Sequence, residues 1–308
     1  MNTSFTFNSL FELLDTFKTE QDCIDHLKQM KWGNEPFCPH CGCQKVYEFK
    51  DNKTYKCSDC RKKFSVKVGT IFEDSKISLR KWFTAIYLIT SHKKGISSLQ
   101  LSRDIKVTQK TAWFMLHRLR HASNTKAFNE PLSNEVEVDE TYIGGKEKNK
   151  HANKRTKGTQ GRNTKTKTPV LGIVERKGNV KTFKIDDVKG KTINSILGDN
   201  VVFGSNLYTD EFRAYRSAKW LYNHDYIVHS QGNYVRENVH TNTIEGFWSL
   251  LKRGIVGIYH FVSNKHLQNY LNEFSFRYNT KNMQEDERFN YLLENCFGRL
   301  TYKQLIRN

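Results

Sequence analysis

The chain has 308 residues, with 50 Lys and Arg against 32 Asp and Glu, and a formal net charge of +18. That length supports two or three domains of roughly 100 to 200 residues, and so strong a positive field favours a polyanionic partner, nucleic acid first. No run of the roughly 18 apolar residues of a membrane span appears, and MNTSFTFNSLFELL lacks the charged start and cleavage site of a signal peptide, so a cytoplasmic, nucleoid-associated protein is expected.

Residues 1–30 hold FNSLFELLDTF and QDCIDHLKQMKW, whose apolar spacing of three and four predicts two short N-terminal helices. Residues 31–75 are cysteine-rich, turn-rich and strand-like. The seven cysteines of a reducing compartment, an odd number, point to metal ligation rather than disulfides. Cys38-Pro-His-Cys41 and Cys57-Ser-Asp-Cys60, with fifteen residues between them around an Asp51-Asn52 turn, predict a small zinc ribbon with one structural Zn²⁺. Cys43 is the alternative to Cys41, and the glycine that follows CPHC favours Cys41. Four thiolates leave no open coordination position, so this zinc stabilises and does no chemistry. His40 is expected in an exposed turn, and Cys23 and Cys296 in the core.

Residues 76–125 read as helices. In ISSLQLSRDIKVTQKTAWFMLHRLR, Ile96, Leu99, Leu101 and Ile105 are expected inward on one short helix, with Thr108 as N-cap of the next. That second helix buries Ala112, Met115, Leu116 and Leu119 and turns Gln109, Lys110, Thr111, Trp113, His117 and Arg118 outward. This is a helix-turn-helix pattern, with a small helical bundle as the alternative; Lys93, Lys94, Arg103 and Lys106 and the upstream ribbon favour DNA binding. Gln109, Lys110, Thr111 and Arg118 are the expected contacts, the first two for base readout.

From 132 to 285 a strand-rich region opens. EVEVDETYIGG alternates, setting Val136 and Val138 on one face and Glu137 and Asp139 on the other; an acidic residue on such a strand is costly unless paired or metal-bound. PVLGIVERK and VKTFKID flank Gly178-Asn179 and complete a three-stranded meander. Between the first two of these strands, residues 146–169 carry nine Lys or Arg and one acidic residue, a solvated loop that can also meet phosphate through Lys154 and Arg155. TINSILGDN predicts a helix. SNLYTDEFRAY predicts a strand ending at Asp210, whose alternative role is a helix N-cap.

Glu245 follows Asp210 after 34 residues, on a helix beginning near Thr241. There Asn242, Glu245, Ser249 and Lys252 share one face, and Ile244, Phe247, Leu250 and Leu251 the buried one. Two carboxylates on adjacent strands and a third on a helix are what two-metal phosphoryl transfer requires, with two Mg²⁺ or Mn²⁺ ions per site. Asn242 competes with Glu245 for the third position. Lys252 and Arg253 are expected on DNA phosphate, and Trp248 either stacks on a base or anchors the helix to the sheet. His229 and His240 are candidates for phosphate contacts or for support behind the metal ligands.

The order of ribbon, helix-turn-helix, VDETYIGGK, YTDEF and HTNTIEGFWSLLKRGIVGIYH resembles a bacterial insertion-sequence transposase of the ISXO type over nearly the whole chain. The resemblance implies an α+β multidomain protein: a small zinc ribbon and helix-turn-helix followed by a ribonuclease-H-like mixed α/β DDE catalytic domain, with a helical tail over 286–308. It implies Asp139 and Asp210 as metal ligands, Glu245 as the third acidic position and Lys252 as the basic position seven residues on. Some relatives carry asparagine at the third position, which keeps Asn242 in view. The implied activity is Mg²⁺-dependent cleavage and strand transfer of DNA at terminal inverted repeats, by a homodimer or larger assembly on DNA. A DNA-binding regulator with an inactive ribonuclease-H-like domain, and a metal-dependent nuclease without joining activity, are the competing readings.

Overall fold

The computed structural model describes residues 5–33, 35–125, 128, 130–145, 151–156, 164–228 and 238–307. The chain divides into two compact units, residues 1–123 with 282–308 and residues 124–281. No helix among the described residues is long and apolar enough to cross a membrane.

In the first unit, Ser9 caps α1 (Leu10–Thr16), and Thr19 with Asp22 forms a capping box on α2 (Glu20–Trp32). The ribbon follows as an antiparallel sheet of β1 (Val46–Glu48), β2 (Thr54–Cys57) and β3 (Lys63–Ser65). Its turn is closed by Asp51, whose carboxylate accepts the N–H groups of Lys53 and Thr54, with Asn52 at φ +53°. Trp32, Tyr55 and Phe64 form an aromatic contact there, with ring centroids 5.2 and 5.5 Å apart along that chain. A three-stranded sheet this small has little apolar surface of its own to bury.

Three capped helices come next: α3 (Leu79–Ser91), α4 (Ser98–Asp104) and α5 (Gln109–Ala122), with Ser78, Ser97 and Thr108 each accepting a first-turn N–H. Lys106 at φ +50° reverses the chain between α4 and α5. Two inward and outward assignments are corrected. Leu99 is 51% exposed, because a seven-residue helix buries only Leu101 and Ser102. His117 is fully buried rather than outward, its ring 4.0 Å from that of Trp113. The chain end returns to this unit: Phe289 of α9 (Glu285–Glu294) packs against Phe7, Phe17 and Phe83, and α10 (Tyr302–Arg307) closes the chain. Cys23 and Cys296 are both buried, as their apolar surroundings predict.

The second unit is built on a five-stranded sheet: β4 (Glu135–Ile143), β5 (Thr168–Glu175), β6 (Val180–Lys184), β7 (Asn206–Asp210) and β8 (Asn223–Ile227), in the order β6-β5-β4-β7-β8. The first three strands are the predicted antiparallel meander, and β7 and β8 add in parallel. Period-two alternation gives the sheet two apolar faces. Val136, Val138, Leu171, Ile173 and Leu207 pack against Ile193 and Leu197 of α6 (Gly190–Asn200). Val170, Val174 and Val180 pack against Ile244, Phe247 and Leu251 of α7 (Asn242–Gly254) and Leu271 and Phe274 of α8 (Leu267–Asn279). Helices on both faces of a mixed sheet give the expected mixed α/β unit. Glu137 and Asp139 lie on the α7 face, so the strand presents its acids to a helix rather than to solvent.

Candidate active site

The ribbon's four cysteines converge. Sγ atoms of Cys38, Cys41, Cys57 and Cys60 all lie within 4.8 Å of one another, with Cys38–Cys60 at 3.7 Å and Cys41–Cys57 at 3.5 Å. Thiolates at about 2.3 Å from a tetrahedral zinc stand about 3.8 Å apart, so the donor set fits Zn²⁺ in both chemistry and spacing. Two left-handed residues make the knuckles, Gly42 at φ +77° and Arg61 at φ +58°. Cys43 stands outside the cluster, its Sγ 3.5 Å from Ser58 Oγ, and His40 is exposed.

The carboxylates gather in the second unit around a cavity of about 420 Å³ lined by Asp139, Glu140, Thr141, Asp210, Thr241, Glu245, Trp248, Ser249 and Lys252. The parallel register of β4 with β7, which pairs Glu137 with Tyr208, leads toward Asp139 within β4 and Asp210 at the end of β7, and both carboxylates line the cavity. Asp210 also accepts the Phe212 N–H at 2.9 Å in a local turn, but the 3-10 helix that follows, Arg213–Trp220, has Phe212 at its N-cap and no side-chain cap bond, so the alternative capping role is not realised. From α7, Glu245 receives the Thr241 hydroxyl at 2.9 Å, and Lys252 faces the same cavity two turns later. Asn242 is exposed and is not among the lining residues.

Trp248 is buried, and its Nε1–H donates to Asp139 Oδ2 at 3.0 Å. It is therefore the helix anchor of the two alternatives, with a polar task added. Gly172, paired across the strands with Asp139, makes that possible: a Cβ there would meet the Trp248 ring at 2.4 Å. Burial, with Glu140 and then Asp210 nearby, pushes the Asp139 carboxyl up to about 7 despite the Trp248 bond. Glu140 is itself buried and accepts the Tyr215 hydroxyl at 2.8 Å. A cluster of hard oxygen donors, with one carboxyl raised chiefly by its burial, fits a divalent cation, which would neutralise it. The carboxylates stand wider than the cysteines, which alone among the described residues form a group within 4.8 Å.

Other anticipated contacts are distributed unevenly. Gln109 and Lys110 are exposed at the start of α5, with the Gln109 amide donating to Ser98 Oγ, and Thr111 is half-buried beside Thr108. Arg118 is a correction: its guanidinium donates to the carbonyls of Ile71 and Glu73, pinning the turn before α3 instead of facing outward. Lys154 and Arg155 are exposed in and after a short 3-10 turn, Ala152–Lys154, while 146–150 and 157–163 lie outside the described residues. Arg253 is exposed and donates to Ser249 O. His240 lies 3.2 Å from Glu137, and His229 falls outside the described residues.

Sequence reasoning passed over Glu137. It is fully buried and accepts the N–H groups of Thr243 and Ile244 at 2.8 and 3.0 Å, the Thr243 hydroxyl at 2.9 Å and Arg176 Nε at 2.7 Å. The signal was present in EVEVDE, where the alternation puts Glu137 on the Asp139 face. Its partners lie 39 and 106 residues away, and no local pattern names them.

Comparison with known proteins agrees with this layout. The ISXO2-like transposase domain matches residues 131–279, and the transposase zinc-ribbon domain matches residues 18–63. An uncharacterized protein in transposable element ISH50 of Halobacterium salinarum is 32% identical over 276 residues, covering 86% of this chain and 92% of that protein. A crystal structure of a pre-cleavage Mos1 transpososome is 10% identical over 68% of this chain and 76% of that one, with a TM-score of 0.19. The Mos1 strand transfer complex is 12% identical over 71% and 79%, also with a TM-score of 0.19. Superpositions that loose carry no structural argument. By domain content and by identity along almost its whole length, the chain belongs to the insertion-sequence transposase family with an ISXO2-like transposase domain behind a transposase zinc ribbon.

Proposed function

We propose that this transposase binds the terminal inverted repeats of its element and cuts and joins DNA at a site formed by Asp139, Asp210 and Glu245. The observation that carries the reading is one cavity that three carboxylates from β4, β7 and α7 share with Lys252. Two Mg²⁺ or Mn²⁺ ions, when bound, stabilise the attacking and leaving oxygens of an in-line displacement at phosphorus. Asp139, Asp210 and Glu245 hold that charge in place. Glu245, which lines the cavity, is preferred to Asn242 as the third ligand. Trp248 fixes the Asp139 carboxylate, and Lys252 neutralises a phosphate on the approaching strand.

In the first step water displaces the 3′-oxygen of the element end, leaving a 3′-hydroxyl. In the second that hydroxyl attacks a target phosphodiester, forms the new bond and releases the target's 3′-oxygen, so each step exchanges one P–O bond for another. The first unit, with its zinc ribbon held by Cys38, Cys41, Cys57 and Cys60 and with Gln109, Lys110 and Thr111 on α5, recognises the ends; Lys154, Arg155 and Arg253 add phosphate contacts. Bringing two ends together requires a dimer or larger assembly on DNA, acting in the cytoplasm at the nucleoid.

The test is Asp139→Asn assayed for Mg²⁺-dependent cleavage of element-end DNA beside binding. Retained binding with lost cleavage is the expected outcome, and unchanged cleavage overturns the assignment. Cleavage of wild-type substrate without joining of a pre-cut 3′-hydroxyl end would leave a nuclease, and binding with neither reaction a regulator.

A further inference from the structure

The three carboxylates come from separate elements, so something must fix the elements against one another before any cation arrives. Resting on the site proposed above, we propose that Glu137 and Arg176 form a buried clamp that sets the relative positions of Asp139, Asp210 and Glu245. Both are positioning residues: neither lines the cavity.

Arg176 touches a close chain neighbour of every ligand. Its Nε donates to Glu137 Oε1 at 2.7 Å, two residues before Asp139 on β4. Its guanidinium lies 4.5 Å from the ring centroid of Tyr208, two residues before Asp210 on β7. Its Nη2 donates to the carbonyl of His240 at 3.0 Å, on the segment entering α7 five residues before Glu245. A planar guanidinium with donors in several directions suits this three-way junction, which a lysine ammonium would not reproduce.

Glu137 supplies the second half. The first N–H groups of a helix need an acceptor, ordinarily a hydroxyl or carboxylate at the N-cap. Thr241 occupies that position in α7 but makes no side-chain cap bond; its hydroxyl goes to Glu245 Oε1. Glu137 does the capping from the neighbouring strand, accepting from Thr243 and Ile244 and placing a negative charge at the positive end of the helix. The exchange leaves the local cap residue free to orient the ligand. It also ties the helix register to β4, since a slip of one residue would break both bonds to Glu137 and carry Glu245 away from Asp139. A fully buried carboxylate persists only when so satisfied, and Arg176 with three donors from α7 satisfies it.

The test measures Mn²⁺ binding by titration calorimetry on the full chain, beside metal-dependent cleavage, for Glu137→Gln and Arg176→Lys. A displaced third ligand is expected to weaken Mn²⁺ binding about tenfold in each and to raise the Mg²⁺ needed for half-maximal cleavage, with binding of element-end DNA within about twofold of wild type. Raised metal restores most of the cleavage, which it would not do for a variant that had merely lost folded protein. Should Glu137→Gln fail to fold, Thr243→Val removes only one hydroxyl from the clamp and is expected to shift Mn²⁺ binding about two- to threefold the same way. Wild-type Mn²⁺ affinity in the folded variants overturns the clamp. Asp139→Asn separates the two failures: if it cleaves normally, the site assignment falls, and if it is inactive while the clamp variants match wild type, the clamp falls alone.

Discussion

The two ligand clusters of this chain differ in almost every physical respect. The cysteines are soft donors nearly in contact, on two knuckles of one small sheet, and they enclose their centre on all sides. The carboxylates are hard donors spread around a cavity of about 420 Å³, on two hydrogen-bonded strands and on a helix packed against their sheet. A closed thiolate tetrahedron has no room for substrate and does its work by holding a segment that lacks enough apolar surface to fold. An open carboxylate site has room for a phosphodiester, and its surroundings must be rigid before the metal binds. In the proposed site, the Trp248–Asp139 bond and the bonds to Glu137 are the groups that would supply that rigidity.

If the ribbon depends on its metal and the carboxylate site does not, Cys57→Ser or strong chelation at Mg²⁺-sparing affinity unfolds the ribbon, since structural zinc sites are worth about 10–16 kcal/mol. Fluorescence of Trp32 should report this loss, with Mn²⁺ affinity of the second unit unchanged; a large fall in that affinity would break the contrast. On the other side, Asp139→Asn is expected to lower cleavage by at least about 10²–10³-fold, the scale of losing one group that stabilises transition-state charge. Gly172→Ala sharpens the claim of prior rigidity. Its Cβ has no space beside the Trp248 ring, so a loss of about 1–3 kcal/mol is expected by thermal melting, with weaker cleavage as Trp248 leaves Asp139.

The pH dependence has a definite sign. Asp139 titrates near 7 when folded and at its ordinary value of 3.8 when unfolded. The folded metal-free protein therefore keeps a proton that the unfolded chain gives up, and this contribution to stability is complete below the unfolded value and lost as pH rises toward 7. Melting of metal-free protein between pH 5 and pH 8 should drop more for wild type than for Asp139→Asn, and Mg²⁺ should restore more stability at the higher pH. Equal drops would remove Asp139 as the titrating group. A smaller effect is expected from Thr241→Val, which removes one hydroxyl bond to Glu245, worth about 0.5–1.5 kcal/mol or roughly 2- to 12-fold in Mn²⁺ affinity.

Much of the second unit was legible because its patterns are local. The alternation of EVEVDETYI and the hairpin residues after PVLGIVERK gave the meander, and the three-four spacing of Ile244, Phe247 and Leu251 gave α7 with its buried face. Assignments failed where a side chain's partner lies far along the chain. Arg118 looks like any helical cation in sequence, yet it is taken by carbonyls 45 and 47 residues away. His117 stands on the polar side of its helix in projection and is buried by neighbours that the projection omits.

What the sequence determined by itself was the donor chemistry: two C-x-x-C pairs at ribbon spacing, and acidic residues on two strands and in the first turn of one helix. Spacing suffices for the cysteines because one hairpin brings both pairs together. It does not suffice for the carboxylates. Whether Glu245 or Asn242 faced the cavity, whether Trp248 held a base or Asp139, and what Glu137 was for depended on the helix's rotation and register against the sheet. Those are fixed by packing across Gly172 and by hydrogen bonds spanning more than a hundred residues, where no local periodicity reaches.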